Sequence, residues 1–430
     1  KKSTLKPSTK ERDNKNRLNN FGDFFVKNFI KFIRFIMNFN FLRMKKIYLL
    51  FSLLFSILAS SQNFYEAKWK KIAESYSEGL YKSSLPLIIE IQNQAIKDGN
   101  DAQLIRSLKA EFAITKDTKD DIKNDLSSVF FAKIEKTEKL LKGDNLSLFQ
   151  VLKMEFINDY FAQNSWRIAQ RTNSDNGKLS EIELWTKLDF KNFFNKEFAY
   201  FETKNAEFKN IKLEKFAPIF EGEKDFQFYN TLYEWKTNQY ITYLRSNYIF
   251  TNDEQEANNA KIILLYDQLI GSNSGNSKLY FQHQKIKFKA DKSLIKDRLT
   301  ELQMLINSNE NGDYKIFIAH DIATLLSGKN EKKNAVELLR KVKAEFPTSK
   351  FLNNIINLEN EMTKRSVKLQ YQFNIEPEKP IHLVAEHTNI SQLKLEIFKI
   401  EDLNKNLKFI RGLQYFGIGD YDYYGDIGID

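Results

Sequence analysis

The chain has 430 residues, 66 Lys and Arg against 56 Asp and Glu, and no cysteine. Without thiols, disulfides, thiolate metal sites and thiol catalysis are excluded within this chain. A net charge of +10 points to nucleic acid or anionic lipid, but the first 46 residues hold 13 basic and 3 acidic side chains and so carry that whole excess. The remainder is neutral, and a nucleic-acid partner is not expected.

Residues 1–43 contain "NFIKFIRFIMNFNFLR", built from Phe, Ile, Asn and Lys. Those residues have A/T-rich codons, as untranslated DNA read in frame would give. The alternative is a basic amphipathic helix on a membrane surface, with Lys27, Lys31 and Arg34 opposite the Phe and Ile side chains. Met44 then opens a second pattern: Lys45 and Lys46, an uncharged apolar run from Ile47 to Leu58, and Ala59-Ser60-Ser61. That order of basic, apolar and small residues is a secretory signal peptide over 44–61. The run falls short of the roughly 20 apolar residues that a membrane span needs. No cysteine follows it, so a lipoprotein start is not expected. The mature chain is expected to begin at Gln62, in the periplasm or outside the cell, touching membrane only through the signal.

From 62 to about 365 the periodicity predicts helices. Trp69, Ile72, Ala73 and Tyr76 fit the opening of a tetratricopeptide-type repeat, followed by a turn at Gly79 and a partner helix in "KSSLPLIIEIQNQAI". Ala323, Ala335, Val342 and Pro347 fall at the intervals of a second such repeat. Between them, helices are predicted over 101–115, 122–142, 146–171, 181–209, 225–250, 254–270 and 278–308. Gly143-Asp144-Asn145, "TNSDNG" at 172–177 and "GSNSGNS" at 271–277 read as turns or loops. The fold class expected is mainly α, an irregular TPR-like helical-repeat solenoid in which each helical hairpin buries its apolar face on the next.

After Arg365 the period changes from about 3.6 to 2. Val367, Leu369, Tyr371, Phe373 and Ile375 alternate on one face, 376–380 read as a turn, and Ile381–Glu386 and Leu393–Ile400 read as further strands. This is the start of a β-sandwich over 366–430, shorter than the roughly 100 residues of a whole one.

Motifs for chemistry are few. The four histidines, His283, His320, His382 and His387, show no zinc-binding spacing. His320 is expected to be a packed or half-buried polar residue. His382 and His387 are five residues apart, on opposite faces of a strand. Ser174-Asp175-Asn176 stands without the other β-lactamase motifs, and "GSNSGNS" lacks the order of a nucleophile elbow. Asp420, Asp422 and Gly425 match only the beginning of a calcium loop. The acidic cluster at Asp117–Asp125 is interleaved with lysines and reads as a solvated helix face. The many aromatics, Trp235 among them, are expected to fill the helix–helix core; the sharper alternative is that some Tyr line a concave surface as peptide anchors. Trp166 and Arg167 are likewise expected to pack. No residue is assigned a catalytic, cofactor-binding or metal-binding role, and no cofactor is expected.

Four stretches together resemble the N-terminal region of the alpha-2-macroglobulin-like proteins of Bacteroidetes. They are "WKKIAESYSEGLYKSSLPLIIEI" behind the signal peptide, "YFAQNSWRIAQRTN" at 160–173, "EIELWTKLDFKNFF" at 181–194, and "EPEKPIHLVAEHTNISQLKLEIFKI", which is similar to the start of a first macroglobulin domain. The resemblance implies a secreted endopeptidase inhibitor whose partners are target proteases or envelope proteins. In that family a bait segment is cut, the macroglobulin domains close around the protease, and in many members a Cys-Gly-Glu-Gln thioester acylates it. This chain has no cysteine and no room for a bait segment, so that chemistry maps to no residue here. What remains is a helical scaffold or docking module. The alternative is a freestanding envelope helical-repeat protein that binds peptides or glycans.

Overall fold

The structure is a computed structural model, and it describes residues 64–117, 126–172, 178–246, 248–371, 378–380 and 382–394. Within these the chain is mainly helical with one two-stranded sheet, as its periodicity predicts. The signal peptide, the leader before it, Ser174-Asp175-Asn176, most of the 117–125 cluster and Asp420–Gly425 lie outside the described residues. The chain divides into two compact units. One is the chain up to Glu197 together with 214–223; the other is 198–213 with everything from Lys224 onward.

In the first unit, α1 (64–77) turns at Gly79, where φ is +74°, into α2 (Tyr81–Asp98). Gly99 ends α2 in the left-handed region, and Asn100 N–H donates back to the Ala95 carbonyl at 2.9 Å. That closure satisfies the last carbonyls and reverses the chain into α3 (Asp101–Asp117). Ile88, Ile91 and Ala95 of α2 and Leu104, Ile105 and Leu108 of α3, spaced three and four apart, are buried in the paired helices. Next come α4 (Leu126–Glu138) and α5 (Gly143–Ala169). Phe112, Phe130 and Phe156, one from each of α3, α4 and α5, meet with ring centroids 4.7–5.5 Å apart. Trp185, at 1 % exposure, and Phe161 close on Phe190 at 5.0 and 5.1 Å. These aromatics are core, as expected.

Two charged clusters tie these helices together. Glu111 of α3 accepts from Lys133 of α4 on both oxygens, at 2.6 and 2.7 Å, and from the Gln92 amide of α2 at 2.6 Å. Lys153 of α5 is nearly buried and holds Glu138 at 2.9 Å and Glu197 at 3.3 Å. Residues 214–223 add Lys215 paired with Asp144, Glu221 bonded to Arg106 at 2.6 Å, and Phe220 lying 3.9 Å beneath Lys109.

Several helices differ from those read in the sequence; the one expected over 225–250 gives only a 3-10 turn (Phe226–Phe228) and an α-helix (Leu232–Leu244). The helix expected over 181–209 breaks, giving a 3-10 turn (Leu179–Leu184), α6 (Lys187–Thr203) and α7 (Asn205–Asn210). The reason is a cap: Thr186 Oγ1 accepts from Asp189 N–H at 3.3 Å, and the Asp189 carboxylate accepts from Thr186 N–H at 2.8 Å. The helix expected over 278–308 divides at 292–297, where Ser293 has φ +55° and Asp297 accepts from Leu299 N–H at 3.0 Å to start a new helix. Gly143–Asn145 and the second half of "GSNSGNS", expected as turns, instead open helices, because Gly143 and Gly275 supply the positive φ that leads in.

In the second unit the helices pack largely in chain order: α8 (Leu232–Leu244), α9 (Asn252–Gly271), α10 (Gly275–Asp291), α11 (Arg298–Ile306), α12 (Lys315–Gly328), α13 (Lys332–Glu345) and α14 (Asn353–Thr363). Thr251 and Glu254 form a capping box at the start of α9. Phe228, in a 3-10 turn, lies 5.2 Å from Tyr280, 4.8 Å from Tyr314 and 5.9 Å from Phe317 and Phe351. This aromatic cluster fastens the turn to α10, α12 and the start of α14. Ala323 and Ala335 are fully buried in the α12–α13 hairpin, where their small side chains let the helices approach.

β1 (Ser366–Tyr371) and β2 (Leu383–Thr388) pair antiparallel, with Leu369 opposite Ala385 and Lys368 opposite Glu386. None of their described side chains is buried; Leu383 and Val384 are 38 % and 53 % exposed. Leu393 and Lys394 are not in a strand, and 395–400 lie outside the described residues.

Candidate functional site

A recess stands on the second unit, between α11, α12 and α13. It is an open groove of about 440 Å³, within the range of binding sites. Ile306, Ile322 and Leu326 are buried in its floor, and Leu338 is half-buried beside them. Gln303, Asn307, Glu331, Asn334 and Lys341 make an exposed rim. The local sequence explains this shape. Ile322 and Leu326 are one turn apart on α12, and Leu338 and Lys341 share a face of α13. The turn between the helices is closed by Asn330 at φ +63°, with Glu331 N–H donating to the Leu326 carbonyl at 2.9 Å.

The rim amides have defined roles. Asn307 Nδ2 donates to the Gln303 carbonyl at 2.9 Å, and Asn334 Nδ2 donates to Glu331 at 2.9 Å. Each keeps its Oδ1 as an acceptor and a second Nδ2 hydrogen as a donor. Lys341 makes no ion pair among the described residues, whereas Arg340 and Lys343 both engage Glu359, at 2.7 and 3.0 Å.

Next to Ile322, the half-buried α12 carboxylate Asp321 organises a polar cluster around the buried His283. Its Oδ2 lies 3.0 Å from His283 Nε2, 2.8 Å from Arg298 and 3.3 Å from Lys287, while Oδ1 is 3.9 Å from His320 Nδ1. His283, at 1 % exposure, turns Nδ1 to the Tyr314 hydroxyl at 3.1 Å. A neutral imidazole donating from Nε2 and accepting at Nδ1 satisfies both contacts. Burial pushes the Asp321 carboxyl up, but hydrogen bonds from His283 and His320 and the charge of Lys287 outweigh it and hold the group well below the usual carboxylate range. Burial lowers His283, with the Asp321 hydrogen bond acting against it. Burial also carries Tyr314 well above an ordinary phenol. A Tyr–His–Asp order resembles a nucleophile relay, yet this phenol is 3 % exposed and harder to ionise than in water. Its chemistry is that of a fastener holding α10, α11 and α12 together.

The sequence motifs fall elsewhere. His320 is half-buried on α12; His387 lies in β2 and His382 just precedes it, with opposite strand parity. Trp166, expected to pack, is 76 % exposed, because the buried positions of α5 around it are Phe161, Ser165 and Ile168, on another side of the helix. Trp235 and Tyr243 are core, at 3 % and 1 % exposure. Among the described residues no group of three or more His, Cys, Asp and Glu could hold a metal ion, and no helix is long and apolar enough to cross a membrane. Reading the sequence for catalytic motifs passed over the groove entirely. The available signal was an apolar stripe at i and i+4 bordered by Asn, Gln and one lysine. No family model, curated protein or solved structure matches this chain.

Proposed function

We propose that this chain is a helical docking module that binds a polypeptide segment of another protein and performs no bond chemistry of its own. One observation carries the reading: the α11–α13 groove joins an apolar floor to a rim of three amides, one carboxylate and one lysine, able to meet both the N–H and the C=O groups of a peptide main chain. Helix-on-helix stacking in chain order supports an irregular solenoid as its frame. The test uses random linear peptides displayed and selected on the purified full chain. Selected peptides are then titrated against the chain and its Leu338→Arg variant. Leu338 is half-buried at the groove, so the arginine fills the recess without emptying the core. An affinity loss of about tenfold or more, roughly 1.4 kcal/mol, is expected. Peptides that bind both forms equally would place recognition elsewhere.

We infer the wider setting to be a secreted, alpha-2-macroglobulin-like endopeptidase inhibitor in which this module is the non-trapping part. The β1–β2 hairpin favours it: two strands with no buried described side chain are not stable alone and call for further sheet. Secretion is tested by sequencing the N-terminus of protein from the periplasm and medium of producing cells. Gln62 is the expected first residue, and retention in the cytoplasm would sink this setting.

A further inference from the structure

We propose that Asn311-Gly312, in the loop between α11 and α12, is a site of spontaneous covalent modification. The asparagine closes onto the glycine nitrogen, loses ammonia and becomes isoaspartate, which loosens the joint between α10 and α12.

The chemistry asks three things of the chain, and this loop supplies each. The residue after the asparagine must let its nitrogen reach the side-chain amide, and glycine has no β-carbon in the way. The sequence holds two Asn-Gly pairs, at 176–177 and 311–312, and the second lies among the described residues. The asparagine amide must be free to turn. Asn311 is exposed, and its side chain makes no hydrogen bond among the described residues, whereas Asn307 Nδ2 is held by the Gln303 carbonyl. The attacking nitrogen must not be committed to an acceptor, and Gly312 N–H has none among the described residues.

The step balances without an oxidant or a cofactor. Gly312 N gives up its proton and bonds to Asn311 Cγ, the Cγ–Nδ2 bond breaks, and the amine departs with that proton as ammonia. The cyclic imide then takes up one water. Opening at Cγ returns aspartate; opening at the main-chain carbonyl gives isoaspartate, whose backbone runs through Cβ and Cγ and is one carbon longer.

The loop has no slack for that carbon. Before it, Glu310 accepts from Gly275 N–H at 2.5 Å and pairs with Lys278 at 2.8 Å. After it, Asp313 accepts from Asn276 Nδ2 and from the Ser349 hydroxyl, both at 2.7 Å. Between these anchors Gly312 lies so close to Asn276 that a Cβ would come 2.3 Å from its Oδ1, the atom that accepts Tyr314 N–H at 2.9 Å. A longer backbone between fixed ends displaces Gly312, and the Asn276 contacts that seat the start of α12 on α10 give way.

The test ages the purified full chain in warm, mildly alkaline buffer beside its Asn311→Gln variant, whose longer side chain closes this ring poorly. The tryptic peptide 299–315 carries Asn307, Asn309 and Asn311 together. Mass spectrometry with electron-transfer fragmentation places each change on it and separates isoaspartate from aspartate. Conversion at Asn311 is expected to run about tenfold or more faster than at Asn307 and Asn309, each followed by a residue with a side chain. Isoaspartate should be among the products, and position 311 should stay unconverted in Asn311→Gln. Hydrogen exchange is then read at the start of α12, where the aged parent should exchange faster and the aged variant should not. Equal rates at the three asparagines, or aspartate without isoaspartate, would overturn the site. Isoaspartate at 311 with unchanged exchange would overturn the loosening of α12.

Discussion

In each unit a carboxylate stands where three helices meet, Glu111 buried and Asp321 half-buried, and the two are satisfied by different chemistry. Glu111 is held by Lys133 on both oxygens and by the Gln92 amide. Asp321 instead collects His283, Arg298 and Lys287 on a single oxygen. Both arrangements tie helices together across an apolar interior, where an unpaired charge would be costly. They differ in what they do with acid. Every histidine of the chain stands at 283 or later, so the first unit has none, and histidine is the side chain whose ordinary titration falls between pH 5 and 8. A similar mechanical task is thus built once without a titrating imidazole and once around one.

The contrast is open to attack by hydrogen exchange on the full chain, reading the amides of α2–α4 against those of α10–α12. The largest effect is expected from Asp321→Ala, which leaves Arg298 and Lys287 facing each other around a buried histidine. It should cost the second unit about 3 kcal/mol and leave α2–α4 protected. Glu111→Ala should do the reverse at a smaller scale, about 2 kcal/mol, since it strips one cation, Lys133, of its partner where Asp321→Ala strips two. Equal losses from the two substitutions would mean that the histidine-containing cluster is no more demanding than the lysine one.

A smaller disturbance is expected from Gly312→Ala. Its Cβ would come 2.3 Å from Asn276 Oδ1, the atom that accepts Tyr314 N–H at 2.9 Å. A cost of about 1–2 kcal/mol, read as faster exchange at the start of α12, follows from that overlap. Unchanged exchange would mean that the Asn276 side chain simply moves aside. Last comes pH. His283 has a folded value below its unfolded one, so its contribution is intact above about pH 6.5 and is lost as the pH falls through the folded value. Between pH 7.5 and 5.5 the α10–α12 amides should lose protection relative to α2–α4. His283→Gln should flatten that difference; an equal slope in both units would remove the histidine from the explanation. Asp321 acts in the same direction further down, from its ordinary value of 3.8 toward stronger acid.

The helices were readable because their apolar spacing, the pairing alanines Ala323 and Ala335, and the turn at Gly79 are local signals. The switch to strand spacing after Arg365 was readable for the same reason. What could not be read was where one helix yields to the next. "GSNSGNS" has the composition of a loop, yet only its middle is one, because Gly275 turns the chain straight into α10. Thr186 and Asp189 cap α6 inside a run whose periodicity continues. The candidate groove was less legible still. It draws on three helices, and no short motif records which face of α11 meets which face of α13. His283 reads as an isolated residue, because its partners Tyr314 and Asp321 come later in the chain and meet it only on folding.

The ten residues from Glu214 to Glu223 belong to the first unit although the chain has by then begun the second. During synthesis the first unit therefore cannot finish when Glu197 appears. At about 5–20 residues per second, its closing clasp follows some 1–5 s later. Over that interval Arg106, Lys109 and Asp144 are made but still waiting for Glu221, Phe220 and Lys215. A nascent chain halted between Glu197 and Glu223 would present an unfinished surface, the state that a chaperone or a secretion pathway needing unfolded cargo would meet.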